Sequence, residues 1–284
     1  MNNKPKTVTT IKQMKEQGEP ITMITAYDVA MARNVNEAGI DMILVGDSVG
    51  NVMLGYTSTI PVTMDEMIQH TKAVVRGNST ALVVADMPFM SYQADMADAM
   101  YNAGRFLKET GCTAVKLEGG QEVAPLIKKL TTAGIPVVAH IGLTPQSVNQ
   151  LGGFKVQGKE MAAAQQLIDD AKALEEAGAF ACVLECVPAA LATKVTQSLK
   201  NMVTIGIGAG NGCDGQVLVC NDLLGVSNGF TPKFVKKYAN LHDITIDAVK
   251  SYIADVKSRE FPAEEHTFKI DDSVLEKLYY CLLY

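Results

Sequence analysis

Eight times along the chain a short apolar run, rich in β-branched residues, gives way to a longer stretch of helical periodicity. The runs cover residues 21–27, 41–47, 81–89, 113–118, 136–143, 181–187, 202–208 and 216–222. Many are apolar almost throughout, as in MILV at 42–45, LVVA at 82–85 and VTIGIG at 203–208. A strand with one wet face alternates apolar and polar residues. A strand covered on both faces does not, and parallel sheets flanked by helices need the second kind.

Helical periodicity fills 30–38, 63–76, 95–110, 122–133 and 159–177. Thr63 precedes Glu66 by three residues, the spacing of a capping box. Gly39, Gly77, Gly111, Gly134 and Gly178 close these stretches, where a left-handed C-cap favours glycine. Eight such units predict a (β/α)8 TIM barrel, a fold of roughly 250 residues. The chain has 284 residues, 48% of them hydrophobic, enough to fill its core. An open doubly wound sheet is the alternative, but no G-x-G-x-x-G follows the first run, which leads into Asp28. An extra N-terminal helix over 9–17 and a helical C-terminal tail over 232–258 and 272–283 flank the barrel. No linker interrupts it, so a single domain over 1–284 is expected.

Composition excludes several classes. The net charge is −6 with no basic cluster, which argues against a nucleic-acid partner. Six cysteines form no C-x-x-C pair, and several lie in apolar runs, as buried free thiols do. Residues 1–13 are polar, and no stretch approaches the ~18 apolar residues of a membrane span. A cytoplasmic location without membrane contact is the expectation.

Ionisable residues gather at the ends of the apolar runs. The first ends in Tyr27 and Asp28, the second in Asp47 and Ser48, the third in Asp86. The fourth carries Lys116 and Glu118, the fifth His140, the sixth Glu185, the eighth Asn221 and Asp222. A barrel of this type places its active site at this C-terminal mouth. A charge inside an apolar strand costs several kcal/mol unless paired, hydrogen-bonded or metal-bound. One such residue could be a structural ion pair; the set converges on one pocket. Asp28 or Asp222 could equally cap a loop, and His140 could be a satisfied core imidazole.

Residue type narrows the chemistry. Asp47, Asp86 and Glu118 are hard oxygen ligands suited to Mg2+, which keeps waters and leaves positions for substrate oxygens. Lys116 shares a strand face with Glu118 and can reach a substrate carboxylate or oxyanion. A Schiff base on Lys116 is the rival reading. Glu185 ends an apolar strand as a candidate general base or acid, with metal ligation its competing role. The glycines at 208–212 read as a tight turn or as a phosphate site. The long loop at 49–61 is placed to cover the mouth.

Several blocks together resemble the ketopantoate hydroxymethyltransferases. They are TAYD at 25–28, VGDSVGN at 45–51, ADMPF at 85–89, VKLEG at 115–119, AHIGLTP at 139–145, LGGFKVQG at 151–158, LECVP at 184–188, IGIGAG at 205–210 and FPAEEH at 261–266. The resemblance runs from about residue 7 to 268. It implies a barrel of the phosphoenolpyruvate/pyruvate superfamily. It also implies transfer of a hydroxymethyl group from 5,10-methylenetetrahydrofolate to 3-methyl-2-oxobutanoate, giving 2-dehydropantoate on the way to pantothenate and coenzyme A, through an enolate stabilised by Mg2+. By position, Asp47 and Asp86 would bind Mg2+, with Glu118 as a further ligand. Asp47, Ser48, Asp86 and Lys116 would contact the oxo acid, to which the reading of the mouth adds His140 and Tyr27. Glu185 would accept the proton. A homo-oligomer, commonly a decamer, is the family habit. Asn221 stands where the family usually has a His, and the tail after Phe268 lies outside the pattern.

Overall fold

A computed structural model describes residues 4–281, without the side chains of 279–281. Among the described residues eight parallel strands close into a barrel in chain order. They are β1 (Ile21–Thr25), β2 (Met42–Val45), β3 (Leu82–Asp86), β4 (Ala114–Glu118), β5 (Val137–Gly142), β6 (Ala181–Glu185), β7 (Val203–Ile207) and β8 (Gly215–Leu218). The fold is the expected (β/α)8 TIM barrel. The chain divides into two compact units, the barrel with 230–236, and 224–229 with the chain from Lys237 onward.

Strand periodicity sorts the barrel residues into two layers. Val83, Ala85, Val115, Leu117, Val137, Ala139, Cys182 and Leu184 join the core shared with the surrounding helices. Their neighbours Leu82, Val84, Ala114, Val138, Ala181 and Val183 fill the interior. The helix Val8–Gln17 closes one end of that interior, its Ile11 and Met14 packing among the inward residues. Lys15 anchors it on Asp214 at 2.8 Å, and the same Asp214 oxygen accepts the Thr204 N–H.

Continuing the inward series two residues at a time leads to the mouth. Beyond Leu82 and Val84 comes Asp86; beyond Ala114 come Lys116 and Glu118; beyond Val138 comes His140; beyond Ala181 and Val183 comes Glu185. Register keeps them level, with Asp86 opposite Lys116, Glu118 opposite His140, and Gly142 opposite Glu185.

The N-terminal cap signals hold, whereas Gly77 is the last helical residue and the helix ends at extended Asn78 in place of a left-handed glycine cap. Thr63 and Glu66 form the capping box of Met64–Gly77, and Asp28 caps Val29–Glu37 by accepting from Ala30 and Met31. Three further expectations are corrected. The eighth strand stops at Leu218, and Cys220–Leu224 is a short helix whose Leu223 N–H returns to Val219 O. The C-terminal helix begins at Leu241, not 232, because 232–235 closes as a turn on Pro232 O. A helical turn over Val49–Val52 interrupts the stretch read as the long loop, and the helix after the sixth strand spans Ala189–Ser198.

In the second unit, Leu241–Ser258 has no buried residue, Tyr252 meets Phe261 edge-on at 5.7 Å, and a further helix spans Asp272–Cys281. Residues 282 and 283 of the expected tail helix lie outside the described residues. No described helix is long and apolar enough to cross a membrane.

Candidate active site

Asp47, Asp86, Lys116, Glu118 and His140 are all at most 5% exposed, and Glu185 is partly open at the rim. The Lys116 ammonium lies 2.7 Å from Asp86 Oδ1 and 3.2 Å from His140 Nδ1. His140 stands between two acids, Nδ1 at 3.4 Å from Glu118 Oε1 and Nε2 at 3.3 Å from Glu185 Oε2. The Asp47 N–H donates to Asp86 Oδ2 at 3.0 Å, tying the end of β2 to that of β3. Tyr27 is buried, and its hydroxyl shares a 2.8 Å hydrogen bond with Ser48 Oγ.

Burial sets the electrostatics. It pushes Asp47 well above the usual carboxylate range, and the charges of Asp86 and Glu118 push it further. Asp86 is also raised by burial, against the pull of Lys116. Burial would raise Glu118 too, but contact with His140 and the charge of Lys116 outweigh it and lower the group. Burial and Lys116 oppose charge on His140; the flanking Glu118 and Glu185 prevail and push it up to about 9. For Lys116, burial favours the free amine, but Asp86, Glu118 and Asp47 overcome it and raise the pKa. Lys116 is therefore held as an ammonium, a poor start for a Schiff base, which needs the neutral amine.

Among the described residues no three His, Cys, Asp or Glu side chains form a ready metal cage. Mg2+ does not require one, since it is commonly held by one or two carboxylates plus waters and substrate oxygens. Two buried oxygens, Asp86 Oδ1 and Glu118 Oε1, have no well-angled hydrogen bond. Asp86 Oδ1 has the Lys116 ammonium as its partner and Glu118 Oε1 only the 3.4 Å approach of His140 Nδ1, so both keep lone pairs beside the buried Asp47 carboxylate, which fits a divalent cation.

A model of the ketopantoate hydroxymethyltransferase family matches residues 5–264. A 3-methyl-2-oxobutanoate hydroxymethyltransferase of Carboxydothermus hydrogenoformans is 61% identical over 96% of this chain and 99% of its own length. The chain belongs to the ketopantoate hydroxymethyltransferase family. A relative of the same name from Syntrophus aciditrophicus is 62% identical over 92% of this chain and 96% of its own. Membership makes the chain a transferase. Among solved structures, phosphonopyruvate hydrolase is similar at TM-score 0.60 and 13% identity, covering 95% of this chain and 94% of that one. So is 2,3-dimethylmalate lyase, a PEP mutase/isocitrate lyase superfamily member, at 0.58 and 15%, covering 92% and 91%. Both show the fold of this ketopantoate hydroxymethyltransferase family member and no more.

The strand-end residues divide accordingly. Asp47, Asp86, Lys116, Glu118, His140 and Glu185 form one connected cluster, with Tyr27 and Ser48 as a bonded pair. Asp28 is a helix cap. Asp222 lies in the first turn of a short helix, and Asn221 beside it accepts from the Cys220 thiol. The glycines at 208–212 make a close-packed turn, since a Cβ at 210 would meet Ala189 and one at 212 would meet Thr193. Gln146 and Tyr92 escaped the sequence reading because neither carries a charge. The position of Gln146 just past the fifth run, after Thr144 and Pro145, was the available signal.

Backbone geometry at Glu185 is unusual on both sides. Cys186, next in sequence, has φ +50°, and Gly142, the cross-strand partner of Glu185, has φ +94°. A Cβ on Gly142 would fall 2.3 Å from the Glu185 carbonyl oxygen. Gly142→Ala is expected to lower stability by about 1–3 kcal/mol in urea denaturation, because the left-handed backbone and the close approach both penalise a side chain. Unchanged stability would show that the strand pair can part without cost.

Proposed function

We propose that this chain transfers a hydroxymethyl group from 5,10-methylenetetrahydrofolate to 3-methyl-2-oxobutanoate, forming 2-dehydropantoate for pantothenate and coenzyme A synthesis. The observation that carries the reading is Glu185 at the open rim of a pocket whose floor holds Asp47, Asp86, Glu118, Lys116 and His140. Family membership supplies the reaction; the cluster supplies groups suited to it.

Asp47 and Asp86 would hold Mg2+, with Glu118 as a further ligand. When bound, the cation would act as a Lewis acid on the carboxylate and keto oxygens of the oxo acid and so acidify its branched carbon. Lys116 and Ser48 orient the carboxylate end, and Tyr27 fixes the Ser48 hydroxyl. His140 bridges this floor to Glu185. Glu185 takes the proton from the branched carbon, whose electron pair then forms the new bond to the one-carbon unit. The two C–N bonds that hold the one-carbon unit break, water supplies the hydroxymethyl oxygen and keeps one of its hydrogens there, and the other, with the proton taken by Glu185, passes to the two nitrogens of the departing tetrahydrofolate.

The metal reading predicts that EDTA-treated protein is inactive and that added Mg2+ restores turnover. Asp47→Asn and Asp86→Asn should each abolish it while the far-UV spectrum persists. Full activity in EDTA, or borohydride trapping of a substrate adduct on Lys116, would revive the Schiff base.

The assignment of Glu185 separates two half-reactions. Exchange of the branched-carbon proton with solvent deuterium needs the base but no folate, so the wild type should catalyse it alone. Glu185→Gln should lose both exchange and transfer by ~100-fold or more. Normal exchange with failed transfer would place the base elsewhere, His140 being next.

We also propose a homo-oligomer, a decamer by family habit. Tyr252, Ile253 and Val256 on one helix and Val274, Leu275 and Leu278 on another are each more than a third exposed, more apolar surface than an isolated chain usually leaves in water. Light scattering at micromolar concentration should give a multiple of the 30.5 kDa chain mass, and a monomer mass would refute it.

A further inference from the structure

Gln146 lies on the short turn after β5, 4% exposed, and touches the acids from two other strands. Its Nε2 donates to Asp47 Oδ2 and to Met87 O, both at 2.9 Å. Its Oε1 accepts from the Tyr92 hydroxyl at 2.8 Å and from Gln93 Nε2 at 3.1 Å. Its backbone N–H donates to Glu118 Oε2 at 3.0 Å.

A primary amide has two N–H donors and an oxygen with two lone pairs, and here every position is used. The orientation is therefore decided by the surroundings. Turned over, the amide would set its oxygen against two acceptors, Asp47 Oδ2 and Met87 O. Tyr92, 5% exposed, adds a second lock: its hydroxyl accepts the Glu118 N–H at 3.0 Å and has the Glu118 carbonyl at 3.1 Å.

Asp47 stands past the end of β2 and Glu118 at the end of β4. Among the described residues, Gln146 hydrogen-bonds to both carboxylates. Each acid keeps a second oxygen, and on Glu118 that oxygen has only the 3.4 Å approach of His140 Nδ1. An uncharged donor achieves this without neutralising either acid, whereas a Lys or Arg in its place would compete with a cation for them.

We infer that Gln146 is a positioning residue for the divalent cation: it spaces the Asp47 and Glu118 carboxylates, and Tyr92 holds Gln146 in the working orientation. The inference rests on the metal reading of the site. Outer-shell partners of this kind are worth roughly 10–100-fold in metal affinity.

The test is titration of the full chain, without substrate, with Mn2+ followed by electron paramagnetic resonance and with Mg2+ by calorimetry. Gln146→Leu keeps bulk and the backbone N–H but removes the amide. It should bind both ions about tenfold or more weakly, and Tyr92→Phe should weaken binding less and in the same direction. A folded Gln146→Leu with wild-type affinity overturns the inference, even if its melting temperature falls, because a purely structural role would move stability alone. Should Gln146→Leu fail to fold, unchanged affinity in Tyr92→Phe overturns it. A wild type that binds neither ion overturns the metal reading together with the inference.

Discussion

A closed parallel barrel sends alternate residues of every strand toward its axis, and the rest of this molecule depends on that rule. Following one strand inward by twos passes from Leu82 and Val84 to Asp86, or from Ala114 to Lys116 and Glu118. The lower layers are apolar and sealed by the N-terminal helix through Ile11 and Met14. The upper layer holds the ionisable groups because it is the one layer that opens to the mouth. Shifting a strand by one residue would drive charges into the helix-facing core, where no partner waits for them.

The upper layer is not balanced by its own charges. Asp47, Asp86, Glu118 and Glu185 face one ammonium and one imidazole. Burial, more than mutual repulsion, raises Asp47, and burial raises Asp86 even beside Lys116. One ion pair, Lys116 with Asp86, is made; Asp47 has no cation beside it among the ion pairs of the described residues, and Glu118 Oε1 has only the longer 3.4 Å approach of His140. Such a cluster is costly to fold and, in the proposed reaction, useful to keep, since a cation and an anionic substrate would complete it.

Fold and chemistry are separable here. The solved neighbours share the barrel at 13–15% identity. The hydroxymethyltransferase relatives share 57–62% of residues over nearly the whole chain. The barrel supplies convergence of strand ends, which any member of the fold has. The side chains that occupy those ends are, in the proposed function, what gives this family its reaction.

The sequence by itself determined the barrel, since eight doubly buried strands separated by capped helices leave few other architectures. It also singled out the charged members of the site, because Asp86, Lys116, Glu118 and Glu185 have no place in apolar strands unless they serve a common pocket. What tertiary structure decided was everything that depends on contact between distant segments. Asp28 and Asp222, which the sequence left open between a site role and a local cap, became parts of helix starts, because local hydrogen bonds claimed those segments. Gln146 looked like a loop amide and became the link between Asp47, 99 residues away, and Glu118, 28 away. Charge leaves a trace in sequence because burying it is expensive. A neutral amide leaves none, and its role appears only when the fold surrounds it with two donors and two acceptors.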